Sequence, residues 1–346
     1  MIDWDVARRT AGRFSGTGPE IGEAEAAEAV AQLRELADEA GGPVREYTGL
    51  VADDPGPALV VDRRRWTEAN LVTFESLTDP VVDKLTAGRG AGPVGRALGS
   101  RISGAEVGGL LAFMSSRVLG QFDPFWDGPA GEPGRLLLVA PNIVQVEQKL
   151  GVDPRDFRAW VCLHEETHRV QFTAVPWMRG HVRSLLDRFI EATDVGSEAM
   201  NRFLGDATDA VIKSVKGEGD VSLGSLFQNE EQRELVAQVT GVMSLLEGHA
   251  DVVMDGVGPE VVPSVATIRR RFDQRRQGQG ALDRLLRRLL GLEAKMRQYR
   301  DGAAFVRGVE KQVGLEGFNA VWAEPANLPT AAEILDPDAW VRRVHA

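Results

Sequence analysis

Residues 164–168 read His164-Glu165-Glu166-Thr167-His168, and this run commits the chain to a helix with one metal-ready face. In an α-helix, positions i and i+4 stand on the same side. Two imidazoles so spaced can grip one zinc ion while the glutamate between them reaches a water activated by the metal. Two ligands and a general base within five residues supply most of what metal-assisted hydrolysis requires. The flanks agree with a helix. Asp153 is a plausible N-cap, Pro154 suits the first turn, Asp156 favours the positive helix end, and Pro176 limits the far side. Phe157, Trp160, Val161, His164, His168, Gln171 and Phe172 recur at helical spacing. The histidines therefore continue an apolar stripe and face the interior, where a metal would satisfy both.

A second segment offers a third ligand. Residues 246–255 read Leu246-Glu247-Gly248-His249-Ala250-Asp251-Val252-Val253-Met254-Asp255. Their helix is expected to begin near Asn229, with Glu230 and Glu231 in the first turn and Gln232 completing a capping-box-like pattern. It should end near Gly256 and Gly258-Pro259. Glu247 and Asp251 are four apart and share a face. Glu247 is the candidate third zinc ligand. Asp251 is the candidate outer partner, accepting a hydrogen bond from the free ring nitrogen of a ligand histidine and fixing its tautomer. His249 points away from Glu247's face. It is a candidate for substrate contact, with a structural role as the alternative.

An HExxH run followed by a helix bearing Glu-Gly-x-Ala resembles the gluzincin metallopeptidases. In that group the glutamate of a similar stretch is the third ligand, and in some members an aspartate four residues later orients a ligand histidine; Glu247 and Asp251 match those positions. Tyr299, one of two tyrosines, is by the same resemblance a candidate for stabilising the oxyanion, with ordinary packing as the alternative. The departure is spacing. Residues 169–246, 78 in all, separate His168 from Glu247, where gluzincins need a few tens, so an extra helical insertion or a distinct fold is implied. Over nearly its full length the chain is similar to a bacterial zincin-like hydrolase family, some members of which are labelled as associated with coenzyme F420 biosynthesis. Ile2-Asp3-Trp4-Asp5, the HEETHRVQF stretch, Val175-Pro176-Trp177, the EGHAD stretch and Lys295-Met296-Arg297-Gln298-Tyr299 carry this similarity. It implies a mainly α, zincin-like helical metallohydrolase fold with a small β element.

The formal net charge of −11 argues against nucleic-acid partners and an anionic membrane surface. Basic runs at Arg269-Arg270-Arg271 and Arg275-Arg276 read as a solvated helix face. The polar, acidic N-terminus lacks the apolar centre of a signal peptide, and no stretch of about 18 apolar residues occurs, so a cytoplasmic location is expected. One cysteine, Cys162, excludes an intramolecular disulfide and a cysteine-based zinc cluster; it reads as core filler.

Helices are expected over 23–40, ended by Gly41-Gly42, over 66–85 with a break near Asp79-Pro80, and as a buried pair over 94–120. Others are expected over 142–150, 178–194, 200–217, 229–255, 262–276, 281–312 and 338–344. Residues 135–139 are the best strand and 59–61 a second; 122–134, rich in Gly and Pro, reads as a loop. An N-terminal mainly helical lobe over 1–134 and a metal-site lobe over 135–346, or one continuous domain, accommodates this order. Gly88 to Gly95 lacks the Gly-Lys-Ser/Thr of a phosphate loop, a second Glu-x-x-His for a di-iron bundle is missing, and Gln171 and Ala174 stand where a metzincin has its glycine and third histidine.

The reading that results is a zinc-dependent, peptidase-like hydrolase. His164, His168 and Glu247 hold zinc, Glu165 is the general base, Asp251 supports the ligands, and the substrate is a peptide or a small molecule. The alternative is a non-catalytic zincin-like scaffold or binding module with a structural metal.

Overall fold

The computed structural model describes residues 2–52, 56–86, 93–129, 131–192, 230–278 and 292–346. Twelve α-helices and three strands are found among them: α1 (Trp4–Phe14), α2 (Glu23–Glu39), α3 (Gly41–Thr48), β1 (Ala58–Val61), α4 (Arg63–Thr86), α5 (Pro93–Ser115), β2 (Gly120–Asp127), β3 (Pro133–Val139), α6 (Ala140–Leu150), α7 (Pro154–Thr173), α8 (Met178–Ala192), α9 (Glu230–Gly256), α10 (Val265–Gly278), α11 (Leu292–Phe318) and α12 (Pro337–Val344), with short 3-10 turns between α11 and α12. The fold is mainly α with one small sheet, as the sequence implies. The helix expected over 200–217, the start of that over 281–312 and most of the 88–95 glycine run lie outside the described residues.

The sheet order is β1-β3-β2, with β1 parallel and β2 antiparallel to β3. The centre is β3, whose Leu136, Leu137, Leu138 and Val139 are all buried. A strand with period 2 sends alternate residues to opposite faces. Leu137 and Val139 pack with Ala7, Trp66 and Leu111 from α1, α4 and α5, whereas Leu138 packs with Leu33, Ile143 and Phe157 from α2, α6 and α7. Burying each leucine contributes roughly 1.5–3 kcal/mol. A further core joins α8, α9, α11 and α12 around Leu245, Phe305, Phe318 and Trp340. The strand β3 straddles residue 134, so the sheet is built from chain on both sides of that point. No helix among the described residues is long and apolar enough to cross a membrane.

Several expectations are corrected. The loop expected over 122–134 is largely strand. β2 is an edge strand despite Pro124, pinned by polar contacts: Arg135 pairs with Asp123 at 3.1 Å, and the Thr73 hydroxyl donates to Asp123 at 2.7 Å. The buried pair expected over 94–120 is one helix, α5, followed by β2. α4 runs on through Pro80. Gly41-Gly42 does not stop the chain's helicity but opens α3, because Ala40 closes α2 and keeps αR geometry into the next helix. The N-terminus forms α1, capped by the Asp3 carboxylate accepting from Val6 N.

Candidate metal centre

The helix α7 forms for the reasons its sequence gives. Asp153 accepts a hydrogen bond from Asp156 N at 2.9 Å, and Pro154 occupies the first turn. Its Cys162 flank is buried core, and burial pushes that thiol's pKa up, which suits packing and not nucleophilic chemistry. Arg158 to Glu147 and Arg169 to Glu166 are buried ion pairs that satisfy the helix's other charges.

The remaining face carries His164 and His168. Helix α9 packs directly against α7 and brings Glu247 to them across the 78 intervening residues. Close approach of α9 to the rest of the core needs its glycine: a Cβ on Gly248 would lie 2.2 Å from the Gly302 carbonyl carbon on α11. The ligand atoms of His164, His168 and Glu247 lie within 4.8 Å of one another. The two Nε2 atoms are 3.1 Å apart, and Glu247 Oε2 is 3.4 Å from His168 Nε2 and 3.6 Å from His164 Nε2.

These separations test whether a metal fits. Ligand atoms at zinc bond lengths around a tetrahedral ion stand about 3.3 Å apart, the value around which the three distances scatter. Glu247 Oε2 is also buried without a hydrogen-bond partner, a costly state that a cation relieves. Among the described residues the cluster counts these three candidate ligands, which would leave a tetrahedral ion one position for water or substrate.

The electrostatics match. Burial alone would lower the His168 pKa, but the Glu247 carboxylate beside it holds it up at about 9. Burial would raise the Glu247 carboxyl, but His168 and His164 hold it well below the ordinary carboxylate range.

Glu165 is buried on the same helix and lines, with the three ligands, a cavity of about 630 Å³. Burial pushes its carboxyl pKa up; His164 and His168 pull against this, and Glu247 adds to it. Gly120, at the start of β2, fits against it: a Cβ there would lie 2.5 Å from Glu165 Cδ. The Gly120 backbone therefore forms one wall of the carboxylate's slot, a role with no local sequence signal.

Other expectations need revision. Asp251 does line the cavity, but its carboxylate accepts from Arg269 at 2.8 Å and from neither histidine. Arg269 binds Asp255 as well and lies 5.1 Å from the Trp160 ring, so the first arginine of the basic run is an interior ion-pair partner and not part of a solvated face. Gln171 holds His168 Nδ1 instead, at 2.9 Å. Its sequence signal was an amide three residues past His168 in an otherwise apolar stripe. His249 is fully buried, between the Phe318 and Trp322 rings and away from the cavity lining, so it does not stand where substrate would reach it. Tyr299 falls within α11, and its side chain lies outside the described residues.

An HExxH helix and a third acidic ligand from a packed helix, beside a cavity, define the class of metal-dependent hydrolases. The chain belongs to the zincin-like metallopeptidase family, whose model matches residues 2–341. Among solved structures it is similar to a crystal structure from Chloroflexus aurantiacus described as "a putative hydrolase with a novel fold", at 32% identity and a TM-score of 0.71, covering 100% of this chain and 99% of that one. No curated protein matches the chain.

Proposed function

We propose that the chain is a zinc-dependent peptidase that cleaves beside bulky apolar residues. The observation that carries this reading is Glu165 set beside three converged ligands at the wall of an open cavity. Zinc, when bound, lowers the pKa of a water and polarises a carbonyl. Glu165 takes a proton from the attacking water as the C–O bond forms, and delivers it to the amide nitrogen as the C–N bond breaks. A carboxyl whose pKa is raised by burial suits both transfers. The cavity walls around the site include Phe122, Phe125, Phe172, Val182 and Met243, which favours apolar side chains. β2, paired on one side only among the described residues, contributes Gly120, Gln121 and Phe122 to the lining; an extended peptide could add to such an edge by main-chain hydrogen bonds.

The scaffold alternative needs a closed, four-ligand shell. Its candidate fourth ligands are engaged elsewhere, Asp251 with Arg269 and His249 in the aromatic core. The test is a peptide panel read by mass spectrometry. Cleavage next to bulky apolar residues, abolished by chelation and restored by zinc, is expected. Stoichiometric zinc with no metal-dependent cleavage of any peptide would move the protein to the scaffold reading.

The slot around Glu165 yields a second expected result. Gly120→Val pushes the carboxylate by about an ångström, which should lower turnover by roughly 100-fold while zinc content stays at the wild-type level. Unchanged turnover would show that the strand does not position the base.

A further inference from the structure

His168 has two ring nitrogens, and the metal centre needs the lone pair of only one. Its Nε2 faces His164 and Glu247, and its Nδ1 lies 2.9 Å from Gln171 Oε1. Gln171 is 0% exposed, and its amide is not free to turn. The amide nitrogen donates to the Leu246 carbonyl at 2.9 Å, an atom that can only accept. The amide oxygen therefore faces His168, and since it too can only accept, His168 Nδ1 must carry the hydrogen. That leaves the Nε2 lone pair for a metal.

The second amide hydrogen of Gln171 points at His249 Nδ1, 3.0 Å away. That nitrogen must accept, so His249 is neutral with its hydrogen on Nε2. The Phe318 and Trp322 rings, at 5.4 and 5.2 Å, hold His249 in place. The same amide ties α7 to the α9 residue next to Glu247, so one side chain sets the register of ligands on both helices.

We infer that Gln171 is the positioning residue that fixes the metal-binding tautomer of His168, and that the Leu246 carbonyl and His249 Nδ1 together fix Gln171. The inference rests on the metal-centre reading but not on catalysis. A leucine at 171 would fill the volume and still leave His168 free to change tautomer.

The test uses the full chain, zinc alone and a competing chromophoric chelator, with no substrate. Gln171→Leu should weaken zinc by about 10–100-fold. Gln171→Glu keeps an acceptor on His168 Nδ1 while losing both donors, so zinc affinity should return to within about threefold of wild type although the melting temperature falls. A role in packing alone would leave zinc affinity unchanged in Gln171→Leu. Should the variants not fold, long-range ¹H–¹⁵N spectra of the zinc-loaded wild type decide the matter: His168 should be Nδ1–H and His249 Nε2–H. Wild-type affinity in Gln171→Leu, or a His249 carrying its hydrogen on Nδ1, overturns the inference alone. A wild type that binds no zinc overturns the metal centre itself, and the inference with it.

Discussion

Replacing His168 by alanine should leave the protein without stoichiometric metal, and His164→Ala should do the same. Apparent zinc binding energies in small protein sites are about 10–16 kcal/mol, so losing one of three ligands removes several kcal/mol, about a thousandfold or more in affinity. The remaining imidazole and Glu247 would offer two ligands only, as His164, His168 and Glu247 are the full cluster among the described residues. Metal analysis after desalting checks this, and full occupancy in both variants would sink the metal centre. The ligands sit on two helices held together partly by what they bind, so metal should also stabilise the fold. At free zinc a hundred times its Kd the gain is about 2.7 kcal/mol, which for a chain of this length corresponds to a melting shift of roughly 4 °C. Chelation should lower the wild-type melting temperature by that much and leave His168→Ala unmoved.

Glu165→Gln should retain zinc and lose hydrolysis. The amide keeps the shape that fits against Gly120 and removes only the ability to take a proton, so a fall of about 10²–10⁴-fold in kcat is expected. Single-turnover kinetics on the best peptide of the panel, with metal content measured in parallel, separate chemistry from binding. The base must be ionised to act, so wild-type kcat/KM should fall as pH drops through the Glu165 pKa. Because burial raises that pKa, the acid limb should lie above the ordinary carboxylate range, and Glu165→Gln should lack it. Wild-type turnover in this variant would remove Glu165 from the reaction.

The ligands were legible because each is announced locally. His164 and His168 share a turn spacing, and Glu247 sits in a helix with its own start and stop signals. What could not be read was decided by partners far along the chain. Asp251 has the right offset from Glu247, yet Arg269 reaches it from the next helix, and a guanidinium competes more strongly for a carboxylate than a neutral imidazole does. Residues 122–134 hold three prolines and three glycines, which reads as a loop; the strand β2 forms over its first part because Arg135 and Thr73 satisfy Asp123. The glycine pair misleads for a local reason. Gly41-Gly42 looks like a stop but serves as the start of α3, since Pro43 fits a first turn.

The distance in sequence between the two halves of the metal centre has a consequence for how the protein acquires its ion. Chains are synthesised at about 5–20 residues per second, so the 78 residues between His168 and Glu247 take roughly 4–16 s to add. Through that interval the nascent chain carries an imidazole pair without its carboxylate, a two-donor site that holds borderline metals only loosely. The three-ligand cluster forms only when α9 docks on α7. A cation met by the growing chain before that docking would have only the imidazole pair to hold it and would stay exchangeable until Glu247 arrives.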